Sequence, residues 1–428
     1  MEWIKEELHT PVIADVDVLV AGGGVSGIAA ALAASRLGAK VLLVERYGFL
    51  GGMATAGLVI TVPPMNNGLQ LEIAQRLQKM GGYAPLKSLS EYYSEGDVSA
   101  YTHAFDPEVL KLVSVKMLKE SEVNLLLHSL IVKACVENNT VNGIIIENKS
   151  GRQAIRAKVV VDATGDADIA AFANAPFEKE KFDNILPVTL MFNIIGVDLK
   201  EFYKSGFSLG RIRDIVEEGV KTGKLDFKLE TKPTKNAPGL YAEAVVHEGE
   251  VNVWGGSLRG IDGTNAEDLT KAEITTREEA WKLVTFLRRE VPGFKSARIE
   301  YTATQVGVRE TRRILGEYTL TLEDIKSKKS FEDVVAKPYL HSTIAVPYRC
   351  LVPKEIDNLL VAGRCISVSS DALPPLRTIP ACISTGQAAG TAAALSVFNN
   401  IKPRVLPISL LQETLLKQNV DLGFNKTT

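Results

Sequence analysis

The chain is 428 residues long and 46% hydrophobic, with a formal net charge of −2. That length predicts two or three domains, with a core large enough to need neither disulfides nor metals for stability. The near-neutral charge excludes a whole-chain electrostatic case for nucleic acid or an anionic membrane surface as partner.

No apolar run approaches the ~18 residues of a membrane span, so no membrane association is expected. The opening MEWIKEELHT is charged and has no apolar core, so no secretory signal is expected there. Cys135, Cys350, Cys365 and Cys382 are scattered, with no Cys-x-x-Cys pair. They predict no zinc or iron–sulfur site, and read as reduced thiols of a cytoplasmic protein.

In chain order, residues 16–21, VDVLVA, are a β-branched apolar run expected of a buried parallel strand. GGGVSG follows at 22–27, then IAAALAASRLG, a small-residue helix closed by Gly38. AKVLLVER is the second strand, which completes a βαβ unit by residue 46. Residues 68–80 predict a helix, and 81–104 are polar and aromatic with no clean period. Asp106, Pro107 and Glu108 begin the next helix as N-cap, first position and first-turn acid, and it runs to about Glu120.

From residue 123 the pattern turns to strands: VNLLLHSLIVKACVE, TVNGIIIEN and RQAIRAKVVVDATG, separated by polar turns. Residues 176–345 change texture again. PVTLMFNIIGVD, GLYAEAVVHE, EVNVWGGSL and ARIEYTATQVG predict an antiparallel sheet. Helices are expected over 198–222 and 265–290, the second capped by Thr264 or Asn265 and followed by Pro292. IAVPYRCLVPKEIDNLLVAGR returns to short buried strands. The stretch IPACISTGQAAGTAAAL, 379–395, then predicts a helix that opens near Gly386.

The first chemical signal is Gly22-x-Gly24-x-x-Gly27 between a strand and a helix. Gly22 would make the tight turn, Gly24 would admit a pyrophosphate, and Gly27 would allow close helix–strand packing. Val25 and Ser26 begin the helix there. Glu45 ends the second strand, where an acid binds a ribose hydroxyl and disfavours a 2′-phosphate. This unit alone leaves NAD and FAD open. Three later features favour FAD: RYGFLGGMATAG directly after Glu45, VVVDATGD at 159–166, and NLLVAGR at 358–364 ahead of the small-residue helix.

On these blocks the chain resembles the bacterial FAD-dependent oxidoreductase family of the glutathione-reductase structural class. The glycine fingerprint with its Glu, the GGMAT loop, DATGDAD, RETRRI-GEY-LT, PYRCL-P and NLLVAGRCIS…R…GQAAGTAA occur in order over roughly residues 15–396. The resemblance implies an α/β fold: a Rossmann-like FAD-binding domain with a central parallel sheet and an inserted α+β substrate or cap domain. The FAD-binding domain would be discontinuous, 12–65, 105–175 and 345–400, with 176–344 inserted, 66–104 a possible lid and 401–428 an extension.

The FAD contacts implied are Gly22, Gly24, Val25, Ser26, Gly27, Glu45, Arg46, Gly51, Gly52, Met53, Thr55, Val132, Ala163, Thr164, Gly165, Gly363 and Arg364. Gly386, Gln387 and Ala388 complete the set, as the helix start facing the flavin's pyrimidine edge, where N–H groups and the dipole would stabilise the reduced ring's negative charge.

The expected activity is hydride transfer between flavin N5 and a small, polar and possibly anionic organic substrate, with an unspecified electron acceptor or donor and possible homo-oligomers. Arg309 and Arg377 are the candidate substrate residues, because Arg grips carboxylates in fork geometry. For Arg313, beside Glu310, structural ion pairs are the preferred reading. His103 and His341 read as structural, and Cys365 and Cys382 as packing thiols, since no cysteine pair stands near the first helix. Two other readings are an electron-transfer subunit, which wants iron–sulfur cysteines the chain lacks, and an RNA-modifying flavoprotein, which the neutral charge disfavours.

Overall fold

The β-branched run Val12–Ala21 forms strand β1 at the centre of a seven-stranded sheet. A computed structural model describes residues 3–85, 103–233 and 239–424 of the chain. Strand β1 is followed by helix α1 (Val25–Ser35) and strand β2 (Val41–Val44), which pairs parallel to β1. Next come β3 (Thr61–Val62), α2 (Leu69–Lys79), β4 (Tyr83–Pro85) and β5 (His103–Phe105), whose strands make a small antiparallel sheet in the order β3-β5-β4. Most of the 66–104 segment expected as a lid, residues 86–102, lies outside the described residues.

Helix α3 (Pro107–Glu120) starts as its residues dictate: Asp106 accepts from the N–H groups of Glu108 and Val109, and Pro107 occupies a position that needs no donor. The segment expected as one strand from 123 divides into β6 (Asn124–Leu126) and β7 (Leu130–Glu137). His128 turns the chain between them with φ +54°. Strands β8 (Thr140–Asn148) and β9 (Gly151–Asp162) complete a meander.

The twelve-residue β9 does two jobs. Its first half pairs antiparallel with β8, and its second half pairs parallel with β18 (Leu359–Val361). The alternating residues of the central strands feed two cores. Val18, Val20, Val41 and Leu43 pack with α1 and α10 (Ile379–Phe398), while Leu19, Ala21, Leu42 and Val44 pack with residues of β7, β8 and α4 (Asp168–Phe172).

Between β9 and β18 the chain builds a separate sheet. Ribbon strand β10 (Phe177–Lys179) precedes β11 (Met191–Ile195), β12 (Tyr241–Ala244), β13 (Val251–Trp254) and β14 (Arg298–Thr302), which form an antiparallel sheet ordered β12-β13-β11-β14. The single helix expected over 198–222 is two, α5 (Leu199–Lys204) and α6 (Ile212–Lys221). Gly206, at φ +82°, breaks them. Helix α7 (Ala266–Glu290) is capped by Asn265, whose side chain accepts from Glu267 and Asp268, so of the two candidate caps Asn265 serves. These helices bury the other face of the sheet around Phe192, Phe202, Leu283 and Phe294.

Strand β15 (Arg312–Ile314) pairs with β10, α8 (Leu322–Lys326) follows, and β16 (Val334–Ala336) pairs with β17 (Val346–Pro347). After β18 come the short α9 (Leu373–Leu376), α10 and α11 (Ile408–Lys417). Among the described residues, no helix is long and apolar enough to cross a membrane.

Candidate functional site

A cavity of about 550 Å³ opens where the β1–α1 loop, the 163–166 turn, the start of α10 and the four-stranded sheet meet. At its base, Gly22 has φ +102° and a Cβ there would sit 2.6 Å from Ala163 O. A Cβ on Gly27 would lie 1.8 Å from Gly22 O, so only glycine lets α1 start this tightly. Gly24 is the N-cap and no side chain caps the helix, so the first N–H groups, at the cavity-lining Val25 and Ser26, are left for another acceptor. Gly51 bridges to Gly24, and a Cβ on Gly52 would stand 2.8 Å from Gly24 Cα, which brings the GGM loop against the same helix start.

Glu45 is buried and its carboxylate accepts from Gly23 N at 2.6 Å and Tyr47 N at 2.9 Å, which ties the end of β2 to the glycine loop. Asp162 shapes the opposite turn by accepting from Thr164 N (3.1 Å), Thr164 Oγ1 (2.7 Å) and Ala170 N (3.0 Å). Complete burial pushes its carboxyl up to about 6, against those hydrogen bonds. Ala163, Thr164 and Gly165 line the cavity beside it. Arg364 pairs with Asp166 at 2.5 Å, and its Nε is a buried donor without a partner among the described residues.

Arg309 and Arg377 also line the wall. Arg309 Nη1 donates to Pro187 O and Thr189 Oγ1, both at 2.8 Å, which holds the guanidinium in place. Arg377 ends α9 immediately ahead of α10. Arg46 donates to Gln305 Oε1 at 2.9 Å, and Tyr47 OH bonds the same oxygen, which joins the post-Glu45 loop to the segment after β14. Met53 also lines this wall.

The last helix departs from expectation. It starts at Ile379, with Thr378 as an uncapped N-cap and Pro380 in the first turn, seven residues before Gly386. Thr378, Ile379 and Cys382 reach the cavity, whereas Gly386, Gln387 and Ala388 are not among its lining residues. A Cβ on Gly386 would fall 2.1 Å from Ser26 O, so its smallness serves the α1–α10 crossing. Gln387 Oε1 accepts from Leu69 N and its Nε2 donates to Gln418, both at 2.9 Å, while Ala388 is buried in the core.

Four further residues also stand outside the cavity wall. Gly27 packs on Gly22, and Thr55 Oγ1 donates to Leu50 O at 2.7 Å. Val132 lies in β7, and Gly363 N donates to Thr385 Oγ1 at 3.1 Å. Arg313 is held by Glu310, Glu178, Glu180 and Val368 O. His103 stacks on Tyr83 at 5.0 Å, and neither it nor His341 lines the cavity. All four cysteines are free, and burial pushes Cys382 up to about 12.

The sheet adds residues that belong to none of the sequence motifs: Tyr241 and Glu243 from β12, and Trp254 from β13. Their signal was the alternation in YAEA, where Tyr241 and Glu243 share one face and Ala242 and Ala244 are buried on the other.

This arrangement of glycine loop, acid, second glycine loop and parallel sheet is that of a dinucleotide-binding protein. The sequence model of the family described as FAD dependent oxidoreductase matches residues 17–342 and 339–415, and the chain belongs to that family. It is an enzyme whose cofactor is FAD.

Among curated proteins, a urocanate reductase of Eggerthella lenta is 32% identical over 118 residues, 26% of this chain and 17% of that protein. The tRNA uridine 5-carboxymethylaminomethyl modification enzyme MnmG of Streptococcus thermophilus is 26% identical over 240 residues, 53% of this chain and 35% of that one. The chain therefore spans less than half the length of either relative. Among solved structures, p-nitrophenol 4-monooxygenase from Pseudomonas putida aligns with a TM-score of 0.50 at 13% identity, covering 95% of this chain and 85% of that chain. The flavin-dependent brominase Bmp2 aligns at 0.50 and 12%, covering 94% and 83%. These two likenesses concern the fold.

Proposed function

We propose that the enzyme moves a hydride between a small polar, anionic organic molecule and FAD. Bound FAD supplies the two-electron centre, with the hydride exchanged at its ring nitrogen N5. The observation that carries the reading is that Arg309 and Arg377 line the same cavity as the glycine loop and Glu45.

The uncapped start of α1 at Val25 and Ser26, with Gly22, Gly24, Gly51 and Gly52 beside it, would hold the pyrophosphate. Glu45 would bind the adenosine ribose, with Arg46, Ala163, Thr164 and Gly165 around that half, and Arg364 Nε, unpartnered among the described residues, is a spare donor in the same wall. Met53 and the start of α10 at Thr378 would border the flavin ring, where the helix dipole favours negative charge. Arg309, already held by Pro187 and Thr189, would fix the substrate carboxylate with little further ordering, and Arg377 would meet it from the helix start.

The chain divides, on this reading, into an FAD-binding unit of 12–65, 105–175 and 345–400 and a cap of 176–344. The four free thiols favour a cytoplasmic setting. A tRNA-modifying role draws support from the match to MnmG, but the net charge of −2 gives it no electrostatic footing.

The test is anaerobic mixing of the FAD-loaded enzyme with a panel of small organic acids and their uncharged analogues, followed by flavin absorbance. An acid that bleaches the flavin should do so on the order of 10- to 100-fold more slowly in Arg309→Lys or Arg377→Lys, with FAD content unchanged. Wild-type rates in both variants, or bleaching only by uncharged molecules, would refute the anionic substrate.

A further inference from the structure

Oxidising a carbon that carries an O–H or N–H group releases a proton as well as a hydride, and the arginines cannot receive it. The cavity wall holds a carboxyl that can. Glu243 projects from β12 on the same face as Tyr241, and both line the cavity. Glu243 Oε2 is buried without a hydrogen-bond partner among the described residues. The Thr61 hydroxyl stands beside that carboxyl in the cavity wall, near enough to favour its ionised form but outside full hydrogen-bond geometry.

The sheet supplies a second, independent observation. In register across it lie Glu243, Asn252, Asn193 and Tyr301, one residue from each of the four strands. Cross-strand partners in register present their side chains to one face. Asn252 Nδ2 donates to Asn193 Oδ1 at 2.7 Å, and Asn193 Nδ2 donates in turn to Tyr301 OH at 2.7 Å and to Glu250 Oε1. The Asn252 amide therefore donates to its β11 partner rather than to its β12 partner Glu243. The other arm of the Asn252 amide, Oδ1, is buried and unpartnered among the described residues, and Asn252 is the register partner of Glu243. An acceptor facing an ionised carboxylate repels it. An acceptor facing a carboxylic acid can take its O–H, which would satisfy both orphaned oxygens.

We propose that Glu243 is the acid–base residue of this cavity, taking the O–H or N–H proton of the substrate as the adjoining carbon is oxidised and returning it in the reverse direction. This rests on the hydride-transfer reading above. The balance is complete: the C–H hydrogen leaves with both bonding electrons to bound FAD, the O–H or N–H proton passes to the Glu243 carboxylate, and a C=O or C=N bond forms. The substrate class is thereby narrowed to anions bearing an alcohol or amine carbon, with the anion at the arginines and the ionisable hydrogen at Glu243.

The environment of Glu243 suits the task. Burial pushes its carboxyl up to about 7, with Thr61 pulling the other way, so both protonation states are populated near neutral pH. The titratable groups along the row are Glu250 and Tyr301, and His247, Glu300 and Asp106 act on Glu250. Arg46, Arg309, Arg364 and Arg377 are the cations of the cavity wall.

The test uses FAD-loaded enzyme without substrate. Infrared difference spectra over a pH titration should show a carboxylic-acid C=O band that disappears with a midpoint near 7 in wild type and is missing from Glu243→Gln, while the Asp162 band, with its midpoint near 6, persists in both. Thr61→Val should move that midpoint upward, because it removes the hydroxyl that favours the ionised form. The flavin midpoint potential plotted against pH should bend near the same value in wild type and lose that bend in Glu243→Gln. Survival in Glu243→Gln of the band with a midpoint near 7, or a potential–pH curve that the substitution leaves unchanged, overturns the assignment. Neither readout needs a substrate, so a failure here is distinct from a failure of the bleaching screen.

Discussion

Replacing Gly386 with alanine separates a packing role from a cofactor role. The added Cβ would sit 2.1 Å from Ser26 O and 2.8 Å from Ser26 C and Cα, all backbone atoms of α1. Ordinary van der Waals contact begins at 3.4 Å, so the helices must part by about 1.3 Å at that point. They cannot pivot about the next turn, because Gly390 makes the same contact there: a Cβ added to it would fall 2.0 Å from Ala30 O.

Overpacking of this kind costs about 1–3 kcal/mol, and contact with backbone places Gly386→Ala toward the upper end. Ser26 also lines the cavity, so, with FAD placed as proposed, a shift of α1 would carry the helix start away from the cofactor's phosphates. Each charge-assisted hydrogen bond lost there is worth about 1.5–3 kcal/mol. Urea unfolding and titration of the apoprotein with FAD measure the two effects. Gly386→Ala should lose both stability and FAD affinity. Gly390→Ala, one turn further along, should lose comparable stability and less affinity. A Gly386→Ala protein with the wild-type urea midpoint would refute the packing role, and loss of affinity alone would restore a direct flavin contact.

Two further outcomes follow from the same geometry. Glu45→Ala should weaken FAD binding by about 1.5–3 kcal/mol, since a charged acceptor is lost and Gly23 N is left without its partner; unchanged affinity in the FAD titration would place the acid elsewhere. Asp162 should make stability depend on pH: its folded carboxyl, raised from 3.8 to about 6, holds a proton more tightly than the unfolded chain does. That contribution is fully present below the unfolded pKa and is lost as pH rises through about 6, a change of about 3 kcal/mol. Urea unfolding at a series of pH values from about 3.5 to 7 should show this fall in wild type relative to Asp162→Asn, and parallel curves would refute it.

Local chemistry made much of the fold legible. The strand–glycine–helix–strand unit with Glu45, the Asp106–Pro107 helix start and the Asn265 cap each rest on neighbours within a few residues, and each forms where its residues direct. The break between α5 and α6 was also local, in Gly206, but apolar periodicity on both sides hid it. The start of α10 had its own signal in Thr378 and Pro380, which the run of small residues beyond it outweighed.

By itself, then, the sequence determined the dinucleotide loop, its acid and the order of the elements, because those depend on backbone freedom and hydrogen bonds between near neighbours. Only the tertiary structure decided that Gly386 meets Ser26, that Arg309 is held at the wall by Pro187 and Thr189, and that Glu243 ends a polar row beside Thr61. Those pairings join residues distant along the chain. Their energies come from burial and register across packed sheets and helices, which no local window of residues contains.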